Sequence, residues 1–175
     1  MKTQLLILTF FTLLSCSKKN DPELKPIDKL PPLTHIGANT AGCLVNGEAF
    51  LPKGHFTTGN LKCFYINQKD FTLGISQEYK DAYKGIYIYV HNTELQAGSK
   101  YYLTQNNNLQ NTKYAKYEDA YYNNTYSTTL TITGELIITH HNYNNATISG
   151  TFWFDAVNSD GEKVEVREGR FDMEY

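Results

Sequence analysis

The strongest chemical signal in the chain is a thiol near its start. Lys2 precedes an apolar run over residues 5–14, which closes on Leu13-Leu14-Ser15-Cys16. A permanent transmembrane helix needs about 20 apolar residues; this run is shorter and has the length of a secretory signal core. An apolar residue three before a cysteine, with a small residue directly before it, forms a lipobox. The Cys16 thiol takes a diacylglycerol, the peptidase removes residues 1–15, and the freed amine is acylated in turn. Several acyl chains anchor stably where one is marginal. The competing reading is an ordinary cleaved signal with a chance cysteine, but position, flank and apolar run all agree on lipidation. Ser17 follows the cysteine where an Asp would favour the inner membrane, so the expected location is the outer membrane, facing the periplasm or the cell surface.

Other residue types offer less. The histidines are His35, His55, His91, His140 and His141. Only the last two are adjacent, and neighbours on a strand point to opposite faces, so no metal site is expected. Cys43 and Cys63 remain once Cys16 is lipidated. An oxidising compartment permits a disulfide between them, a simple hairpin would not place them opposite each other, and pairing stays open. Neither has the close-spaced partner a zinc site needs. Glu162, Glu165, Glu168, Asp172 and Glu174 mostly share the polar parity of one strand and read as a solvated face rather than a glycosidase pair. There is no nucleophile elbow and no phosphate-binding loop. A triad assembled in space would leave no such motif, so an enzyme ranks third among the readings. No cofactor is expected, and a net charge of −2 gives no footprint for nucleic acid.

The surplus is aromatic: 14 Tyr, 9 Phe and a single Trp. Ile86, Ile88 and Val90 alternate with Tyr87 and Tyr89, Tyr83 shares the tyrosine parity, and Trp153 lies between Phe152 and Phe154. If the aliphatic residues face the core, Tyr83, Tyr87, Tyr89 and Trp153 face away from it. They are then either a ligand face suited to a glycan, a peptide or a small amphipathic molecule, or a second core layer beneath loops, which ordinary burial preferences favour.

The elements that must carry these residues are strands. Tyr and Thr favour pleated structure and Asn favours turns. Candidate strands are 43–51, 62–66, 71–76, 85–91, 101–103, a long one over about 127–140, 147–157, and a last one reaching Tyr175. Residues 114–121 carry Tyr at helical spacing in a β neighbourhood and are read as strand. In the last strand Val164 and Val166 are even while Phe171, Met173 and Tyr175 are odd. An extra residue near Gly169 would restore the inward face, as a β-bulge does. The expected fold is all-β: one antiparallel sandwich or barrel of about eight to nine strands in mostly meander order, over residues 40–175. Residues 16–39, rich in Lys, Asp and Pro, read as the lipidated cysteine and a flexible tether.

Gly37-Ala38-Asn39-Thr40-Ala41-Gly42-Cys43-Leu44-Val45-Asn46-Gly47-Glu48-Ala49-Phe50-Leu51-Pro52 resembles the opening of a domain-of-unknown-function family of small Bacteroidota lipoproteins. Ile148-Ser149-Gly150-Thr151-Phe152-Trp153-Phe154-Asp155-Ala156 and Glu168-Gly169-Arg170-Phe171-Asp172 complete the likeness. The resemblance implies a lipidated extracytoplasmic β domain and transfers no catalytic residue. Two functional expectations stand ahead of an enzyme: a membrane-anchored module binding a glycan, peptide or small ligand, and a structural or interaction lipoprotein serving an envelope complex. A concave aromatic site would favour the first; a flat apolar patch or open sheet edge would favour the second.

Overall fold

The computed structural model describes residues 24–54, 57, 59–80, 82–105 and 110–175, without the side chains of Tyr79 and Ala82. Cys16 and the signal segment lie outside the described residues. The chain is all-β, with eleven strands: β1 Thr40–Val45, β2 Glu48–Phe50, β3 Leu61–Ile66, β4 Asp70–Tyr79, β5 Ala82–Val90, β6 Lys100–Leu103, β7 Lys113–Asp119, β8 Asn124–Ser127, β9 Gly134–Asn142, β10 Thr147–Val157 and β11 Lys163–Glu174. They form one antiparallel sheet in the order β2-β1-β11-β10-β8-β7-β5-β4-β3, with β9 also on β10 and β6 on β9. Meander pairs β1-β2, β3-β4-β5, β7-β8 and β9-β10-β11 are joined by the non-consecutive neighbours β1-β11, β5-β7 and β8-β10. The first part of β10, Thr147 to Phe154, pairs with β9, while Val157 pairs with Ser127 of β8.

The sheet does not close into a barrel, since the path ends at β2 and β3. It doubles over, so that Phe71 of β4 meets Phe171 of β11 at 5.8 Å and Phe50 of β2 meets Tyr117 of β7 at 6.3 Å. Ile86, Ile88, Val90, Leu136, Ile138, Phe152 and Phe154 fill the space between. The alternation read from the sequence decides this packing, because the period-2 pleat puts every second side chain on the buried face. One end is closed by Tyr65, His141, Tyr143 and Tyr175. The His141 Nδ1–H donates to Leu95 O at 2.8 Å, Nε2 faces the Tyr175 hydroxyl at 3.1 Å, and burial lowers the imidazole pKa.

The structure departs from two of the strand expectations and bears out a third. The strand expected over 43–51 is a hairpin: Asn46 and Gly47 both have positive φ, 49° and 85°, which makes a two-residue turn between Val45 and Glu48. The long strand expected over 127–140 is two strands, β8 and β9, which border different stretches of β10 and have β7 and β6 on their other sides. Thr129 ends β8, its hydroxyl accepting the Ile132 N–H at 2.9 Å, and Leu130 is exposed rather than inward. The residues 114–121 adopt the strand reading, as β7.

Of the tether expected over 16–39, residues 24–39 are described and lie against the sheet. Pro26–Lys29 is one 3-10 turn, and Leu30 is buried. Residues 34–38 are fastened to β11 by Asp172. Its carboxylate accepts from Thr34 Oγ1 at 2.6 Å, from the backbone N–H of Ile36, Gly37 and Ala38 at 3.0, 2.9 and 3.2 Å, and from Ser149 Oγ at 2.8 Å. Asp172 is 1% exposed, so it does not belong to the solvated acidic face expected for the last strand. Burial alone would raise its pKa, but the donors from Thr34, Ile36, Ser149 and Gly37 outweigh burial and hold it well below the usual carboxylate range.

Candidate functional site

Trp153 sits on the outer face of β10, because Phe152 and Phe154 on either side take the core. Its surroundings follow from register. Trp153 pairs with Glu135 of β9, which pairs with Tyr102 of β6; Thr151 pairs with Ile137 on one side and Arg170 on the other. On β11 the ladder steps from Gly169, opposite Phe152, to Val166, opposite Phe154, so two residues, Arg167 and Glu168, face the single Trp153. This is the bulge expected from the parity break. It turns Arg167 and Arg170 to the same outer face, on either side of the indole.

The bulge is not built as the sequence suggested. The left-handed residue is Glu168, φ 54°, the one such residue inside a strand among the described residues. Gly169 has no positive φ. It is required because a Cβ there would lie 2.4 Å from two carbons of the Phe152 ring and 2.6 Å from Phe152 O. The glycine admits close packing, and its neighbour carries the backbone strain.

These residues enclose a groove of about 350 Å³ lined by Glu135, Trp153, Arg167, Glu168, Arg170 and, from the N-terminal segment, Leu33. Arg167 stands over the indole with Cζ 5.5 Å from the ring. It is held by Asp155 at 2.6 Å and by the carbonyls of Phe154 and Val166 at 3.2 and 3.0 Å. Arg170 reaches Glu168 at 3.3 Å, and Lys100 meets Glu135 at 2.9 Å, which raises the lysine pKa. The indole is 39% exposed. A flat ring is thus fixed between two guanidinium groups and two carboxylates, a set that can stack on an apolar surface while bonding hydroxyl or amide groups at its rim.

A family comparison bears on this arrangement: the pattern of a domain of unknown function, DUF6252, matches residues 64–173. The chain belongs to the DUF6252 family. The DUF6252 match spans Trp153, Arg167, Glu168 and Arg170, together with the 148–156 and 168–172 segments that carried the resemblance; the 37–52 segment lies before it. Comparison with curated proteins and with solved structures gives no match. Nothing about chemistry therefore enters this DUF6252 domain from outside, and the site must be read from its own geometry.

The other expected ligand-face residues lie elsewhere. Tyr83, Tyr87 and Tyr89 are on the outer face of β5. The register row through Tyr87 crosses Lys116 and Ser127 and reaches β10 at Val157, not at Trp153. At strand spacings, that sets the two about 14 Å apart across the sheet and about 13 Å along it. The tyrosines are half-buried, as an outer sheet face and not a second core layer. Tyr87 lies over two glycines: a Cβ on Gly85 would come within 2.6 Å of its ring, and one on Gly74 within 3.3 Å. Tyr87 stacks on Tyr89 at 6.2 Å and Tyr89 on Tyr114 at 4.7 Å, and the Lys116 ammonium stands 5.0 Å from the Tyr87 centroid. Burial raises the Tyr89 pKa to about 12. The Tyr83 hydroxyl donates to Glu118 at 2.6 Å, and that bond, with burial, raises its pKa.

Cys43 on β1 and Cys63 on β3 are buried and present as free thiols, not as the disulfide the sequence left open. Burial pushes the Cys63 thiol up to about 12 and Cys43 higher, which leaves both unreactive. His140 stacks on His35 at 5.6 Å while His141 points into the aromatic end, so the adjacent pair diverges as strand geometry requires. Sequence reasoning missed Glu135, Arg167 and Arg170. Their one signal was the parity break, which marked a bulge without saying which side chains it would gather.

Proposed function

We propose that this domain is a saccharide-binding module, held by a lipid anchor at Cys16 on the outer membrane and facing the periplasm or the cell surface. The observation that carries the proposal is that the only tryptophan of the chain lies open in a groove, between charged side chains already fixed by ion pairs. A pyranose offers a C–H face to the negative face of an indole. Its hydroxyls suit the fork of Arg170 and the carboxylates of Glu135 and Glu168, which donate and accept in fixed directions. A peptide strand would instead seek a sheet edge, where unpaired backbone groups give it affinity.

The test is calorimetric titration with linear neutral and acidic hexose oligosaccharides, beside Trp153→Ala. Saturable binding by the wild type, lost in a variant with a nearly unchanged melting temperature, is the expected result. No heat and no change in tryptophan emission with any oligosaccharide would refute it. The anchor is checked separately: Cys16→Ala should leave the membrane fraction or accumulate as precursor, and processed, fully membrane-bound variant protein would overturn it.

A second reading, an interaction lipoprotein, is supported by β3. Among the described residues it pairs with β4 alone, and its outward Phe64 and Ile66 are 51% and 57% exposed. An apolar open edge of this kind suits strand addition by a protein partner.

A further inference from the structure

We propose that Asp172 is a positioning residue for the Trp153 groove, acting through the N-terminal strap it fastens; as a statement about ligand binding, this rests on the saccharide reading. Leu33 lines the groove opposite strands β9 to β11. It has no anchorage of its own in the core, being 59% exposed. Its position is inherited from its neighbours in the chain: the buried Leu30 before it and, directly after it, the residues where one carboxylate collects the Thr34 hydroxyl and three successive backbone N–H groups from Ile36 to Ala38. Bonds to a charged acceptor are the strong ones, and four of them within five residues leave the strap little freedom.

The fastening is itself braced. Ser149 of β10 bonds the same carboxylate, so the latch is tied to the strand that carries Trp153. Gly37 passes so close to the sheet that a Cβ would lie 2.8 Å from Thr147 and 2.9 Å from Glu174, at φ 71°. The strap therefore follows a single path over the sheet. One wall of the site is supplied by the segment leading back towards Cys16, and access to the indole depends on a carboxylate that does not line the groove.

The test uses the emission of Trp153, the only tryptophan, in the full chain. Thr34→Val removes one donor and Thr34→Ser restores it; Leu33→Ser removes the wall and leaves the latch; Asp172→Asn removes the charge and replaces one of the two acceptor oxygens by an amide donor. Acrylamide quenching of Trp153 should rise in Thr34→Val, Leu33→Ser and Asp172→Asn and return to wild type in Thr34→Ser. Oligosaccharide affinity should fall about fivefold in Leu33→Ser, as expected for one apolar contact of about 1 kcal/mol. Quenching unchanged in Thr34→Val and Leu33→Ser would overturn the proposal even if Asp172→Asn fails to fold. Raised quenching in a protein that binds no oligosaccharide would confirm the latch and refute the saccharide reading alone.

Discussion

Glu168 and Gly169 stand side by side in β11 with their expected roles exchanged. Left-handed backbone costs a non-glycine residue roughly 1 kcal/mol, and a glycine is adjacent, yet the strain falls on glutamate because Phe152 occupies the space where a Cβ of residue 169 would be. The two positions should answer oppositely to substitution. Glu168→Gly relieves the strain and is expected to stabilise by about 0.5–1 kcal/mol. It loses an ion pair to Arg170 whose glutamate is largely exposed and of little weight for folding. Gly169→Ala is expected to cost about 2–3 kcal/mol through overpacking against Phe152. Denaturant melts of both variants check this, and a stabilised Gly169→Ala would contradict the close contact. If Glu168→Gly gains stability while losing oligosaccharide affinity, the strain is kept for the groove and not for the fold.

Among the elements, β5 separates what the sequence makes legible from what it does not. Alternation of Ile86, Ile88 and Val90 with Tyr87 and Tyr89 identifies the inward face, since a one-residue slip would expose every aliphatic side chain. It says nothing about what lies over the outward face, which depends on the strands that pair on either side and on their register. Here the neighbours are Gly74 and Lys116, and the tyrosines form a stacked outer face. Tyr87→Ala/Tyr89→Ala should therefore cost about 1–2 kcal/mol, the scale of cross-strand aromatic pairs, and not the 3–5 kcal/mol or so per ring expected of core aromatics. A loss of several kcal/mol in a thermal melt would mean that the rings are buried after all. Register accounts for the other gaps. The parity shared by Leu130, Ile132, Leu136 and Ile138 suggested one strand, but parity does not record the break between β8 and β9, where the hydroxyl of Thr129 accepts the Ile132 N–H. The hairpin at Asn46-Gly47 carried its own local signal in the residue types that tolerate positive φ. The Trp153 groove did not, because its parts come from β9, β10, β11 and the strap, and only pairing across the sheet assembles them.

At the scale of the whole molecule, the domain begins earlier than its first strand. Residues 24–39 contribute the buried Leu30 and the partners of Asp172, so a protein starting at residue 40 loses structure that a sequence boundary at the first strand treats as tether. Near neutral pH the form 24–175 is expected to be more stable than the form 40–175 by about 2–4 kcal/mol, since hydrogen bonds to a buried charge are worth about 1.5–3 kcal/mol and ordering the strap offsets part of the gain. The pH dependence assigns that difference. The folded Asp172 pKa lies below its unfolded value, so its contribution is fully present above the unfolded value of about 3.9 and is lost as pH falls through the folded one. In the shorter form Asp172 keeps only Ser149 of these donors, its pKa is less depressed, and less stability is at stake. The gap should be flat from about pH 7 down to about pH 5 and narrow below about pH 4. It should not vanish, because the burial of Leu30 does not titrate. His35 stacks on His140 and belongs to the strap, so the longer form is measured with His35→Gln to remove that pair from the comparison. A gap that stays constant to pH 3 would show that the strap is held by packing alone, whereas one that narrows between pH 7 and 6 would place the titrating group elsewhere than Asp172.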